Sequence, residues 1–233
     1  PIGKPSAGPI PVLSGFKTFG RITFRYRQFR SAALNSHNTP VGLFQTVKSF
    51  KNKKARPLKA LRNYYEFVDQ VENNCRRIQE KYAEHIFCEK GCTGNCCRIH
   101  LSVFPVEAIS LATALKELPG KMRSHIRQKA RITNSFGPCP LLEEGACLMY
   151  ASRLIICRTH GLPMRLEYRG HHSIGFCQKN FRKLNPLPDD AIINLNLLNQ
   201  HLAAANQMFV NELSGRFNLL SRFTIGEALL INL

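Results

Sequence analysis

The sequence lacks long apolar runs. None of its hydrophobic stretches approaches the ~18 residues that a membrane-spanning helix needs, so no transmembrane segment is expected. Its first residues also lack the apolar stretch of about 7–15 residues behind a basic flank that marks a secretory signal. We therefore expect a cytoplasmic protein in a reducing compartment, where clustered cysteines serve as metal ligands more often than as disulfides.

The common signatures of several enzyme classes are also missing. The sequence has no Gly-rich phosphate-binding loop, no H-E-x-x-H zinc protease motif and no G-x-S-x-G nucleophile motif. Whether the protein is an enzyme therefore stays open. An iron–sulfur-dependent activity is one interpretation, and a cysteine nucleophile is another, although a thiolate that already binds metal is a poor nucleophile.

Acidic residues are absent from the first 62 positions. This part of the chain has 13 Lys or Arg, whereas residues 63–233 have 20 basic and 15 acidic side chains. The net charge of +18 is therefore concentrated near the N-terminus. We divide the chain into a basic N-terminal arm, residues 1–57, and a cysteine-cluster metal-chelating domain, residues 58–233.

The arm permits three interpretations. Ile22, Phe24 and Tyr26 alternate with Arg and Thr, which is typical of a strand with one basic face. Arginines interleaved with aromatic residues could contact RNA phosphates and stack on bases, or bind another acidic surface. An Arg-rich, acid-free segment is also typical of an organelle-targeting presequence. The third interpretation is an extension with no binding role.

Hydrophobic periodicity predicts a mostly α fold, namely a small helical domain with cysteine-rich metal-binding loops and a short β-hairpin. The hairpin is predicted over residues 166–176, with its turn at Arg169 and Gly170. The predicted helices run from Leu58 to Tyr82, from Pro105 to residues 118–120, over residues 121–132, and from near Asp189 to about Leu213, with Gly215 ending the last one. The apolar stripe of the first helix comprises Leu61, Tyr65, Val68, Val71, Cys75, Ile78 and Tyr82, and that of the last comprises Leu195, Leu198, Leu202, Ala205, Phe209 and Leu213.

Four of the nine cysteines stand within ten residues, in "CEKGCTGNCC". They are Cys88, Cys92, Cys96 and Cys97. Gly91 and Gly94 interrupt any helix there, which favours a loop wrapped around a metal. Because neighbouring side chains point in different directions, Cys96 and Cys97 could serve two centres, or one could be a ligand while the other packs.

A second group of four cysteines begins about forty residues later. It comprises Cys139, Cys147, Cys157 and Cys177. Eight thiols are enough for two four-thiolate centres, or for one cluster with spare ligands. Thiolates suit zinc and iron–sulfur clusters and disfavour magnesium and calcium, so the sequence predicts zinc or iron, with a 4Fe-4S cluster as one form of the iron.

The segments "CEKGCTGNCC", "CPLLEEGACLMYASRLIICRTHG" and "FCQKNF" together resemble the YkgJ-type cysteine-cluster family, a zinc- or iron-chelating domain. The resemblance runs from about Leu58 to the C-terminus and excludes the arm. It implies that the eight named cysteines are the metal ligands. Two positions depart from the family pattern: three residues separate Cys92 from Cys96 where two are commoner, and Leu154 stands where a proline is usual.

Other side chains near the cysteines have competing interpretations. Cys75 lies on the stripe of the first helix and is predicted to be a buried thiol that binds no metal. Arg153 and Arg158 could offset the charge of the thiolates, or form an ion pair with Glu143 or Glu144. His160 could replace one thiolate in a zinc site, or simply form a hydrogen bond within its loop. His171 and His172 are predicted to face solvent near the hairpin turn.

These features lead to one functional hypothesis and one alternative. The first is a metal-chelating protein that binds zinc or iron through its eight cysteines. The alternative is a protein whose fold is stabilised by the bound metal and which associates with RNA or the ribosome through the basic arm. The two differ in salt dependence, since an arm that contacts several phosphates loses affinity steeply as salt rises.

Overall fold

The structure is a computed structural model that describes residues 59–87, 95–98, 101–133, 137–213 and 222–233. The basic arm lies outside these residues, and so do the strand predicted around Ile22 to Tyr26 and the helix stop at Gly215. None of the helices within the described ranges combines the length and hydrophobicity needed to cross a bilayer.

The described part of the chain is mostly helical, which confirms the predicted α class; 58% of these residues are in helices. Short 3-10 turns and small two- or three-stranded sheets connect the helices. In chain order the elements are α1 (Arg62–Lys81), β1 (Ser102–Val103), α2 (Pro105–Lys116), α3 (Gly120–Ile132), β2 (Leu142–Glu143), β3 (Ala146–Cys147), α4 (Ile155–Thr159), β4 (Met164–Tyr168), β5 (His171–Gly175), β6 (Ile193–Asn194), α5 (Leu195–Glu212), β7 (Phe223–Thr224) and α6 (Ile225–Leu230).

The first long helix is shorter than predicted, because Lys59–Leu61 form a 3-10 turn before it, and its core face is slightly rotated. Tyr64 and Phe67 are buried, whereas Tyr65 and Val68, which were predicted to form the stripe, are only partly buried. Tyr64 and Tyr65 are adjacent apolar residues, and so are Phe67 and Val68. A stripe with a period of 3.6 residues can therefore pass through either member of each pair. Packing against α5 decides between them, because the ring of Phe67 meets the ring of His201 edge-on at 5.8 Å.

The predicted start of the last helix is wrong. Asp189–Ala191 form a 3-10 turn, and Ile193–Asn194 form β6, which pairs in parallel with β4. Helix α5 begins only at Leu195, because the side chain of Asn194 caps it by accepting a 3.0 Å hydrogen bond from the Leu197 N–H. From there the predicted stripe is buried at Leu198, Leu202, Ala205 and Phe209.

The predicted hairpin is confirmed as β4 and β5. Its turn residues, Arg169 and Gly170, have φ values of 51° and 76°, and a tight two-residue turn of this kind requires positive φ at both positions. The asparagine at position 196 fastens the hairpin to α5, because its amide exchanges two 2.9 Å hydrogen bonds with the backbone of Glu167.

Two hydrophobic cores share helix α2. The first lies between α1 and α5 and receives Val106 and Ile109 from α2. The second lies among α2, α3, α6 and the segment before α4, and receives Leu111 and Leu115. Cysteines 139, 147 and 157 pack against this second core, so these thiols lie at its edge rather than in isolated loops.

A buried carboxyl group joins the starts of two helices. Glu107, in the first turn of α2, is 3% exposed. Its Oε2 accepts a 3.3 Å hydrogen bond from the Phe104 N–H, and the Ile155 N–H at the start of α4 also donates to this carboxyl group. Burial raises the pKa of Glu107 to about 7, against the lowering effect of these N–H groups and of Arg222.

We predict that Glu107 makes the protein less stable as pH rises. Because its pKa is about 7 in the folded state and 4.5 ordinarily, the folded protein retains a proton that the unfolded chain releases between these values. The free energy of unfolding should therefore fall across this window, by on the order of 3 kcal/mol in total. Urea unfolding of the wild type and Glu107→Gln at pH 5 and pH 8 measures the difference. A wild-type pH dependence that the substitution leaves unchanged would contradict the assignment.

Candidate metal centre

Five of the eight predicted ligands have described side chains. They are Cys97, Cys139, Cys147, Cys157 and Cys177, and all five are partly buried. Cys88 and Cys92 lie outside the described residues. For Cys96 the structure describes only the backbone, within the 3-10 turn Asn95–Arg98.

One end of the first cysteine group is attached to the second group. The N–H of Cys139 donates a 2.7 Å hydrogen bond to the carbonyl oxygen of Cys97. These residues are 42 positions apart in the chain, so the contact is a product of the fold. It brings the last cysteine of the first group beside the first cysteine of the second.

The segment before the first group is attached in the same way. The N–H of Phe87, directly before Cys88 in the chain, donates a 2.9 Å hydrogen bond to Oδ1 of Asn180. The backbone N–H of Asn180 donates to the carbonyl oxygen of Cys177 at 2.9 Å. The N–H of Cys177 in turn meets the carbonyl oxygen of Gly161 at 3.4 Å, which is a weak bond. Both flanks of the first group are thus bonded to segments that carry cysteines of the second.

Two cysteines of the second group lie in regular structure, although the sequence predicted that the ligands stand in loops between helices. Cys147 is in β3, opposite Leu142, and Cys157 is in the short helix α4. The β2–β3 turn is formed by Glu144 and Gly145, whose φ values of 47° and 75° are both positive. Cys139 and Cys177 do lie in loops.

The thiols of Cys139, Cys147 and Cys157 lie within electrostatic reach of one another. Burial is the main cause that raises the pKa of Cys157 to about 12, and the two other thiols raise it further. Burial also raises the pKa of Cys139 to about 11 and that of Cys147 above its usual value. Even with Lys129 and Arg153 nearby, the raised pKa values leave these groups as neutral thiols at pH 7 when no metal is bound.

Backbone N–H groups point at the same three sulfur atoms. The N–H groups of Leu141, Met149 and Leu154 form hydrogen bonds with the thiols of Cys139, Cys147 and Cys157 respectively, while the Leu142 N–H donates at 2.9 Å to the carbonyl oxygen of Cys139. Each of the hydrogen bonds to a thiol favours the anionic thiolate and lowers the pKa of its cysteine. A metal-bound thiolate carries such a charge, so this donor set fits zinc or iron in chemistry.

The described residues do not form a complete site by themselves. Within residues 59–87, 95–98, 101–133, 137–213 and 222–233, no three His, Cys, Asp or Glu side chains are placed to hold one metal ion together. Among these residues the fold brings three thiols to one edge of the second core, where Cys139 is hydrogen-bonded to Cys97, and it bonds the backbone of Cys177 to Gly161.

The arginines around Cys157 form an ion pair, but with a partner that the sequence did not indicate. Nη1 of Arg158 lies 2.5 Å from a carboxylate oxygen of Glu72 on α1, and Nη2 of Arg153 lies 3.9 Å from the other. Glu143, a predicted partner, instead pairs with Lys129 and His125. The sequence could not indicate Glu72 as the partner, because it lies 86 residues from Arg158 and is one of several acidic residues along α1.

Arg153 also acts on the cysteines. Its guanidinium stacks on the ring of Tyr150 at 3.7 Å from the centroid. From there its charge lowers the pKa of Cys147, and it lowers that of Cys75 together with Arg158. Arg153 thus pairs with Glu72 and also favours the anionic form of Cys147, which is the direction that the charge-compensation interpretation requires.

The remaining candidates differ in how far they are buried. Cys75 is buried on α1, as predicted, and burial raises its pKa to about 11. His160 is exposed, and His171 and His172 are exposed on β5, as predicted. The buried amide of Asn180 was not singled out from the sequence, where "FCQKNF" drew attention to its cysteine alone.

Comparison of the chain with models of known protein families, with curated proteins and with solved structures gives no match.

We predict that Arg158→Lys destabilises the fold by about 2 kcal/mol. The Arg158 side chain is 10% exposed, and it also donates to the carbonyl oxygens of Arg153 at 2.8 Å and Ala151 at 2.9 Å. A lysine keeps the charge but cannot reach all three acceptors. Arg165→Lys is the matched control, because Arg165 is half-exposed and 3.9 Å from Asp189, and it should change stability by no more than about 0.5 kcal/mol. Urea unfolding measures both variants. A loss of unfolding free energy in Arg158→Lys no larger than that in Arg165→Lys would contradict a stabilising role of the network around Arg158.

Proposed function

We propose that residues 58–233 chelate zinc or iron through the eight cysteines Cys88, Cys92, Cys96, Cys97, Cys139, Cys147, Cys157 and Cys177. The iron would be bound directly or as a 4Fe-4S cluster. The observation that carries the proposal is the attachment of both flanks of the first cysteine group to the second, through Phe87 and Cys97. These bonds keep both sides of the first group beside segments of the second, as a centre with ligands from both groups requires.

The surroundings of the sulfur atoms support the same conclusion. Three half-buried thiols repel one another when ionised, and burying them costs free energy that neutral side chains would avoid. Backbone N–H groups aimed at each sulfur offset part of that cost only when the sulfur is negative. A divalent metal or a cluster supplies the missing positive charge and holds the thiols as thiolates.

The resemblance to the YkgJ-type family agrees with a chelating role, since it implies the same eight ligands. A centre with thiolate ligands alone serves either to stabilise the fold or, when it holds a cluster, to transfer electrons. The chain's own residues would bind the metal, compensate its ligands through Arg153 and limit water access by packing the thiols against the second core.

The test is metal analysis of protein purified without oxygen. We expect a stoichiometric amount of zinc or iron per chain, and broad absorption near ~400 nm if the iron is in a cluster. The Cys177→Ala variant should lose metal, because it removes one of the eight proposed ligands, from a loop that is bonded to Gly161 beyond the end of α4.

The Cys75→Ala variant is the matched control. It also replaces a cysteine with alanine, but on the buried face of α1. This change should lower the free energy of unfolding by on the order of 1 kcal/mol and leave the metal content unchanged. Wild-type protein with no bound metal after anaerobic purification and reconstitution would refute the proposed function. Equal metal loss in both variants would refute the assignment of Cys177.

Binding of RNA through residues 1–57 is a second candidate function, favoured by one specific feature. Residues 1–62 hold 13 basic side chains and no acidic one, whereas the remaining chain has a net charge of only +5. We expect the affinity for a single-stranded RNA oligonucleotide to fall by about 10-fold or more between 50 and 200 mM salt, and to disappear when residues 1–57 are removed. Fluorescence anisotropy measures both. Binding that is insensitive to salt or to the truncation would exclude this role.

A further inference from the structure

Asn180 is a buried polar residue whose side chain connects separate parts of the chain. It is 1% exposed. Its Nδ2 donates a 2.8 Å hydrogen bond to the carbonyl oxygen of Gly161, and its Oδ1 accepts a 2.9 Å hydrogen bond from the N–H of Phe87. A buried amide that is satisfied on both sides fixes the positions of the groups that it contacts, because breaking either bond leaves a buried polar group unpaired.

The segments that Asn180 connects include two cysteines with described side chains. Gly161 stands four residues after Cys157, just beyond the end of α4, and has a φ of 91°. Cys177 is bonded to Asn180 through its carbonyl oxygen, and its own N–H meets the same Gly161 oxygen. The asparagine amide therefore sets the distance between the chain after Cys157 and the chain around Cys177.

The backbone next to Asn180 is held in an unusual conformation. Phe181 has a φ of 54°, which is unfavourable for a bulky side chain, and yet its ring is 1% exposed. Its N–H donates a 2.7 Å hydrogen bond to the carbonyl oxygen of His85, and its ring packs against Tyr82 and Phe176. Such conformations persist where the surrounding structure overdetermines them, and they occur often at functional sites.

We propose that Asn180 is a positioning residue for the metal centre. The inference rests on the proposed function and adds to it a residue that is not itself a ligand. Asn180 holds Cys157 and Cys177 at a fixed separation, so that the cysteine ligands do not have to be ordered when the metal binds. Loss of its amide should therefore accelerate metal release beyond what the loss of a buried amide elsewhere in the fold would cause.

Asn206 provides a matched control. It too is an asparagine with 1% exposure whose Oδ1 accepts a backbone hydrogen bond, here from Val106 at 3.2 Å. This bond joins α5 to α2 in the first core, and neither of these helices contains a cysteine. Asn206→Ala thus reports what the loss of a buried amide does to the protein in general.

The experiment measures the rate at which reconstituted full-length protein transfers its zinc or iron to a chromophoric chelator, together with the melting temperature. We expect about 10-fold or faster release from Asn180→Ala, and release within about twofold of the wild type from Asn206→Ala. Asn180→Ser should also release metal faster, because one short hydroxyl group cannot bond both the Phe87 N–H and the Gly161 carbonyl oxygen. This uncharged polar variant keeps the test valid if the alanine variant does not fold.

Two results would overturn the proposal. If the Asn180 variants release metal no faster than Asn206→Ala, the amide only stabilises the fold, and chelation itself remains established by the metal content of the wild type. If the wild-type protein holds no metal, both the proposed function and this role of Asn180 fail together.

Discussion

Placement of the cysteines depends on buried backbone hydrogen bonds outside helices and sheets. Loops that pack against a core must find partners for their N–H and C=O groups, since an unpaired buried group costs about 1–3 kcal/mol. In this chain the partners are other cysteine-bearing segments: Cys139 pairs with Cys97, and Phe87 pairs with Asn180, which in turn bonds to the Cys177 carbonyl. The same bonds that satisfy the loops therefore hold Phe87 and Cys97, on either side of the first group, against segments of the second.

The short helix α4, which carries Cys157, is attached to the rest of the fold at both of its ends. At its start, the Ile155 N–H donates to the buried carboxyl group of Glu107. In its last turn, Arg158 pairs with Glu72 on α1, and beyond its end the Gly161 carbonyl accepts from Asn180. Five residues are too few to form a stable helix alone. The contacts to α1 and α2 must hold it, and they fix the position of its thiol relative to both cores.

Local sequence signals predicted much of the fold, and long-range contacts account for what they missed. Pro105 marked the start of α2, and Gly170 marked the hairpin turn, because proline fits the first turn of a helix and glycine readily adopts a positive φ. The late start of α5 depends on the pairing of β6 with β4, and the Arg158 partner Glu72 lies 86 residues away. Cysteine spacing predicted two groups of thiols, but it could not predict that Asn180 would connect the segments around them.

Sulfur ligation is the central claim, and X-ray absorption at the edge of the bound metal tests it most directly. The measurement is made on anaerobically reconstituted full-length protein, with Cys75→Ala as the control that keeps all eight proposed ligands. We predict a first coordination shell made only of sulfur, at about 2.3 Å if the metal is zinc. A shell of nitrogen and oxygen at about 2.0–2.2 Å would contradict the account, since it would place the metal on histidines or carboxylates instead of the cysteines.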